Sequence, residues 1–187
     1  MAALLCFFFV PLTLAAIILP LFIHELAHII VLRFLGLRIR CFSADLRGFC
    51  IQYSGYSGAV GHAAAAAAGP AAGFAYAFAA SMLSKKIGGS WLCLSAGVSL
   101  LMSLFNLLPA LPLDGGRILE NLSCTFFGER TGRYITKVSG LAVSTALLIA
   151  GMWIMFAGGG AAAELAAVWL LLSQNREYAI VKRREIL

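Results

Sequence analysis

Charge is what this 187-residue sequence has least of: only 12% of its side chains are Asp, Glu, Lys or Arg, against roughly 25% in ordinary soluble domains. Residues 2–23, 63–83, 91–113 and 138–160 contain none of the four. Each run meets the roughly 20 apolar residues that a bilayer-spanning helix needs. Residues 161–175 form a shorter fifth candidate that carries Glu164. A soluble domain is excluded, and the chain reads as an all-α polytopic membrane protein with about five transmembrane helices. Cysteine is also scarce. The five thiols, Cys6, Cys41, Cys50, Cys93 and Cys124, are odd in number and form no C-x-x-C pair, which argues against a thiolate metal site and a disulfide framework. They read as small packing residues.

The few charges are unevenly placed. If the helices alternate in direction, Arg33, Arg38, Arg40, Arg47, Arg117, Arg130, Arg133, Lys137, Arg176, Lys182, Arg183 and Arg184 share one side. Only Lys85 and Lys86 lie on the other. By the positive-inside rule the crowded side is cytoplasmic, so the N-terminus is outside and the C-terminus inside. The net charge of +6 is then a topology signal that also favours anionic headgroups, and it does not call for nucleic acid. No basic residue precedes Val10, and the first apolar run continues without a break to residue 32, so it reads as a permanent helix and not a cleaved leader.

One domain, 1–187, accounts for the pattern: a core over about 4–120, C-terminal helices over about 138–175 and a basic tail at 176–187. The first helix, about 4–35, is longer than a bilayer requires. Between it and the second helix, residues about 40–58 alternate Phe, Ile and Tyr with polar residues and glycine, which predicts a short strand-like hairpin. A sheet edge cannot face lipid, so this segment packs on protein, lines a cavity or lies at the surface. The small residues of GHAAAAAAGPAAGF suit close helix packing. In SLFNLLPALPLDGGRIL two prolines and a double glycine break the third helix, and such irregular backbone should line a cavity.

Ionisable groups at membrane depth cost a few kcal/mol each, yet LFIHELAHIIVL carries three. His24 and His28 are one helical turn apart and can reach one ion from the same face. Glu25 is placed to face a water there without binding the metal. Zinc suits two imidazoles and lowers the pKa of bound water toward about 7. A catalytic site wants a third protein ligand. Asp114 is one candidate, with a turn Asp or helix cap as its plainer reading. His62 is the other, with an ordinary polar role at a helix entrance as its plainer reading.

HELAH, a glycine-rich strand-like stretch, AAGPAAGF and NLLPALPLDGGRIL, in that order, resemble the site-2 protease family of intramembrane zinc metalloproteases over about residues 4–120. The closest form is similar to the branch containing the sporulation pro-sigma-factor processing protease. The pattern Asn-x-x-Pro-x-x-x-x-Asp-Gly, here Asn106, Pro109, Asp114 and Gly115, is far more specific than HExxH. The resemblance implies one zinc per chain held by His24, His28 and Asp114, with Glu25 as catalytic base. Asn106, Pro109, Gly115, Gly69 and Pro70 would bind substrate or shape the site. An asparagine often present after the family's Gly-Pro is Gly73 here, which leaves a substrate contact by that helix in doubt.

The expected activity is hydrolysis of a peptide bond in or near the transmembrane segment of a single-pass membrane protein, in a prokaryotic cell membrane. The strand-like segment offers an edge for an unwound substrate or a surface cap over the cavity. A regulatory membrane partner or a homo-oligomer is left open. Two other classes compete. A noncatalytic scaffold with structural zinc would call for four protein ligands and no base. A zinc transporter would call for ligands at successive depths, whereas the histidines here cluster at one.

Overall fold

The computed structural model describes residues 2–45, 48–54, 58–156, 165 and 168–173. Helix α1 (Ala2–Phe34) is followed by strands β1 (Arg38–Asp45) and β2 (Gly48–Ser54). Helices α2 (Ala59–Ile87), α3 (Ser90–Asn106), α4 (Asp114–Phe127) and α5 (Glu129–Phe156) complete the order. The apolar part of α1 from Pro11, together with α2 and α5, is long and apolar enough to cross a bilayer. Helix α3 is apolar but shorter, at 17 residues. Most of the expected fifth span, 161–175, lies outside the described residues.

Helix α1 keeps Pro11 and Pro20 in its interior, as spanning helices can when neighbours cover the freed backbone groups. Its end is chemically specified. Gly36 adopts φ 75°, Gly36 N–H donates to the Arg33 carbonyl, and Leu37 N–H donates to the Leu32 carbonyl. This is the Schellman pattern, with its usual apolar contact: Leu32 and Leu37 pack together with Ala65 of α2. The chain leaves the helix into β1, which pairs antiparallel with β2 from Arg38↔Ser54 to Asp45↔Gly48.

Helices α2 and α3 form a hairpin. Gly88, in the left-handed region, closes α2 by donating to the Ser84 carbonyl. The pair can approach closely because α2 presents Gly69, Gly73, Ala77 and Ala80, all buried, and α3 presents Ser95, Ser99 and Ser103, all fully buried. Ser99 Oγ donates to the Gly73 carbonyl at 2.8 Å, and the Tyr76 hydroxyl and Ser95 Oγ share a hydrogen bond of 2.7 Å. Such hydroxyl contacts between small residues replace the hydrophobic driving force that lipid does not supply.

Two boundaries differ from the expectation. The third charge-free run covers 91–113, but α3 ends at Asn106, ahead of the two prolines where a break was expected, and the turn 107–113 leads into α4, an additional helix with charged residues. Helix α5 starts at Glu129, nine residues before the charge-free run at 138. Hydropathy marks the lipid-facing length of a helix, whereas the polar turns of TGRYITK continue the same hydrogen-bond ladder outside it. Gly132 lets α5 lie against the backbone of α4, where a Cβ would meet Cys124. Ser123 Oγ reaches the Gly132 carbonyl at 3.2 Å across that contact.

Candidate metal centre

Helical spacing puts His24 and His28 on one face of α1, their rings edge to face with centroids 4.9 Å apart. His24 is buried, and the His28 side chain is 12% exposed. His28 Nδ1 lies 2.7 Å from the Ala65 carbonyl oxygen of α2. A carbonyl can only accept, so Nδ1 holds the proton and the lone pair of Nε2 faces inward, the arrangement that metal-binding histidines use. Pro70, also in α2, has no N–H to give the Ala66 carbonyl.

Asp114 arrives from the opposite side, as the first residue of α4 after its N-cap Leu113, where a carboxylate also suits the helix dipole. The turn before it is tight. A Cβ on Gly115 would meet the Leu107 and Leu108 carbonyls, and one on Gly116 would meet Ala110 and Leu111. Glycine at both positions lets α4 begin directly on the turn's backbone. Asp114 Oδ2 thereby lies 3.1 Å from His24 Nε2 and 3.3 Å from His28 Nε2, and the two Nε2 atoms are 3.2 Å apart. Asp114 lies beyond α3, outside the spanning helices.

These three atoms fit zinc on geometry and on chemistry. Tetrahedral bonds of about 2.1 Å give ligand–ligand edges of about 3.4 Å, close to the three separations here. Two imidazole nitrogens and a carboxylate oxygen are also donors that zinc takes, and a cation among them satisfies all three. The side facing α2 is kept clear by Gly69. A Cβ there would crowd His28 Nε2, and would lie 2.7 Å from both His24 Nε2 and His28 Cε1.

Among the described residues, His24, His28 and Asp114 are the group of three whose donor atoms lie close enough to hold one ion. His62, in the first turn of α2, does not join them. Asn106, the last residue of α3, places Nδ2 3.5 Å from His24 Nε2, beside the trio but outside it. Glu25, the residue after His24, is half-buried and within electrostatic reach of the trio. Gly69 and Pro70 are buried in α2. Pro109 lies in the turn, and its carbonyl accepts from Ser139 of α5 at 2.8 Å. The Ala65 carbonyl and Ser139 were not foreseen. A backbone carbonyl carries no side-chain signal, and Ser139 is one of many hydroxyls in apolar runs.

Comparison with known proteins agrees with this architecture. The sequence model of peptidase family M50 matches residues 85–151, which include Asn106 and Asp114. Rip3 of Mycobacterium tuberculosis, named as a zinc metalloprotease, is 31% identical over 179 residues in each of two strains, covering 82% of this chain. The chain spans 42% of the length of that curated relative. The solved structure of the site-2 protease from Methanocaldococcus jannaschii superposes with a TM-score of 0.68 at 23% identity, covering 89% of this chain and 75% of that one, and shows the same fold. These matches place the chain in the site-2 protease family, whose curated relative here is named a zinc metalloprotease.

Proposed function

We propose that this protein is an intramembrane zinc protease that hydrolyses a peptide bond in or near the transmembrane segment of a membrane protein. The observation that carries the reading is the trio His24, His28 and Asp114, with donor atoms 3.1 to 3.3 Å apart and Glu25 beside it. The two histidines and Asp114 would hold one zinc per chain. Zinc there supplies Lewis acidity, which lowers the pKa of water and polarises a carbonyl oxygen. Glu25 removes a proton from the attacking water and delivers it to the leaving amine, the two halves of general acid–base catalysis. The Asn106 amide, 3.5 Å from His24 Nε2, is placed to hold the substrate at that point.

Three protein ligands leave a coordination position for water or substrate, which favours a catalytic site over the closed four-ligand site of a scaffold. All three lie at one depth, which disfavours a transport path. His28 precedes Arg33 by five residues, on the order of 8 Å along the helix, so water from the side of the basic residues has a short way to travel. With that side cytoplasmic, the N-terminus is outside. The substrate is a single-pass membrane protein cut by regulated proteolysis in a prokaryotic membrane.

The test is zinc content per chain of the purified protein and of His24→Ala, Asp114→Ala and Glu25→Gln, with cleavage of a reporter single-pass substrate. Near one zinc in the wild type, its loss in the first two variants, and retained zinc with cleavage lowered by about a hundredfold or more in Glu25→Gln are expected. Full zinc in Asp114→Ala would remove that residue from the ligand set.

A further inference from the structure

We infer that Ser139 of α5 is a positioning residue for the metal centre: by bonding the Pro109 carbonyl it clamps the turn that delivers Asp114. The inference rests on the metal reading proposed above. The segment 107–113 is short of internal hydrogen bonds. Ala110 N–H donates to Leu108, Leu113 N–H donates to Ala110, and none of the backbone bonds of the turn ends on the Pro109 carbonyl. Pro112, three residues on, has no N–H to offer. At membrane depth an unsatisfied carbonyl is costly, and the donor comes from another helix, with Ser139 Oγ at 2.8 Å.

The behaviour of the neighbouring hydroxyls sets Ser139 apart. Thr136, Ser144 and Thr145 of α5 each bond a carbonyl of their own helix four residues back, at Gly132, Gly140 and Leu141. Ser139 instead leaves its helix for the turn. It can reach because α5 lies tight on α4, with Gly132 against Cys124, and α4 lies tight on the turn, with Gly116 against Ala110. Turn and helix start are packed backbone to backbone through Gly115 and Gly116, so a displacement of Pro109 is passed to Asp114. A metal site tolerates only about 0.2 Å in its ligand distances. Loss of the Ser139 hydroxyl should therefore be felt as lost metal affinity.

The experiment compares zinc dissociation constants, by competition with a chromophoric chelator, for the purified full chain, Ser139→Ala, Ser139→Thr and Thr136→Ala, with thermal unfolding of each. Alanine is the better helix former, so Ser139→Ala is expected to fold. It should bind zinc about tenfold more weakly, the size seen for groups that orient metal ligands. Ser139→Thr, which keeps the hydroxyl, should recover most of that. Thr136→Ala should lose stability but not zinc affinity, which a merely structural role for α5 hydroxyls would not produce. Unchanged affinity in Ser139→Ala, or an equal loss in Thr136→Ala, would overturn the inference while leaving the metal site intact. A wild type that takes up no zinc would overturn both.

Discussion

Replacing Gly69 with alanine tests the metal centre without touching a ligand. The added Cβ would lie 2.7 Å from His24 Nε2 and from His28 Cε1, and nearer still to His28 Nε2. Ordinary contact begins at about 3.5 Å, so an imidazole or the helix must retreat by about 0.8 Å or more. That is about four times the 0.2 Å that zinc–ligand distances tolerate. Retreat of α2 is opposed on two sides: Gly73, one turn on, is packed against Ser103 and Ser99, and the Ala65 carbonyl is tied to His28. The histidines must give way, and zinc affinity should fall by at least about a hundredfold, the upper end for groups that only orient ligands. Overpacking should cost about 1–3 kcal/mol of stability as well. Zinc per chain and chelator competition read the first effect, and thermal unfolding reads the second. Gly97→Ala is the control, since a Cβ there meets nothing within 4 Å. Gly69→Ala protein with full zinc at wild-type affinity would refute the reasoning, because the Cβ would then have found room that the geometry denies it.

Gly73→Ala should destabilise the α2–α3 pair by about 1–3 kcal/mol, since its Cβ would run into Ser103 Oγ. Ser103→Ala removes that atom, so the double variant should recover most of the loss in thermal unfolding, and additive effects would deny the contact. Asn106→Ala should keep its zinc, because the amide stands outside the ligand trio, yet lose about tenfold or more in cleavage through poorer substrate placement. Loss of zinc in that variant would make Asn106 part of the metal's own support.

The sequence is most legible where chemistry conflicts with the solvent. His24, Glu25, His28 and Asp114 stand out because charge in an apolar run needs a reason, and the structure brings the two histidines and the aspartate together. Helix α4 and the first turns of α5 were harder to read, because Arg117, Glu120, Glu129, Arg130 and Arg133 interrupt the hydropathy while the backbone stays helical. Gly69 and Gly73 read from composition alone as packing residues of one helix, and only the family resemblance added a site-shaping role for Gly69. What distinguishes them is what they face: Gly69 clears space for two imidazoles, and Gly73 receives a serine hydroxyl. That depends on the register of one helix against another, and no single-chain periodicity encodes it. Ser95, Ser99 and Ser103 follow a spacing of four, but serines also bond their own helix, so the stripe alone did not reveal a partner.

A break in a spanning helix is tolerable only if its freed backbone is hidden from lipid. Here the hiding place and the proposed metal centre are the same structure. The turn 107–113 is covered on one side by the bare Cα atoms of Gly115 and Gly116 and held on another by Ser139. The same contacts start α4 at Asp114 and turn its carboxylate toward α1. His28 follows a similar logic, since its Nδ1–H bonds Ala65 O in a helix kept close by small residues. Each group that satisfies a backbone atom also orients a proposed ligand, so the cost of irregular backbone and the cost of buried charge are met by one set of contacts. Substitutions that loosen the turn should therefore lower zinc affinity and stability together, whereas those confined to Glu25 should change neither.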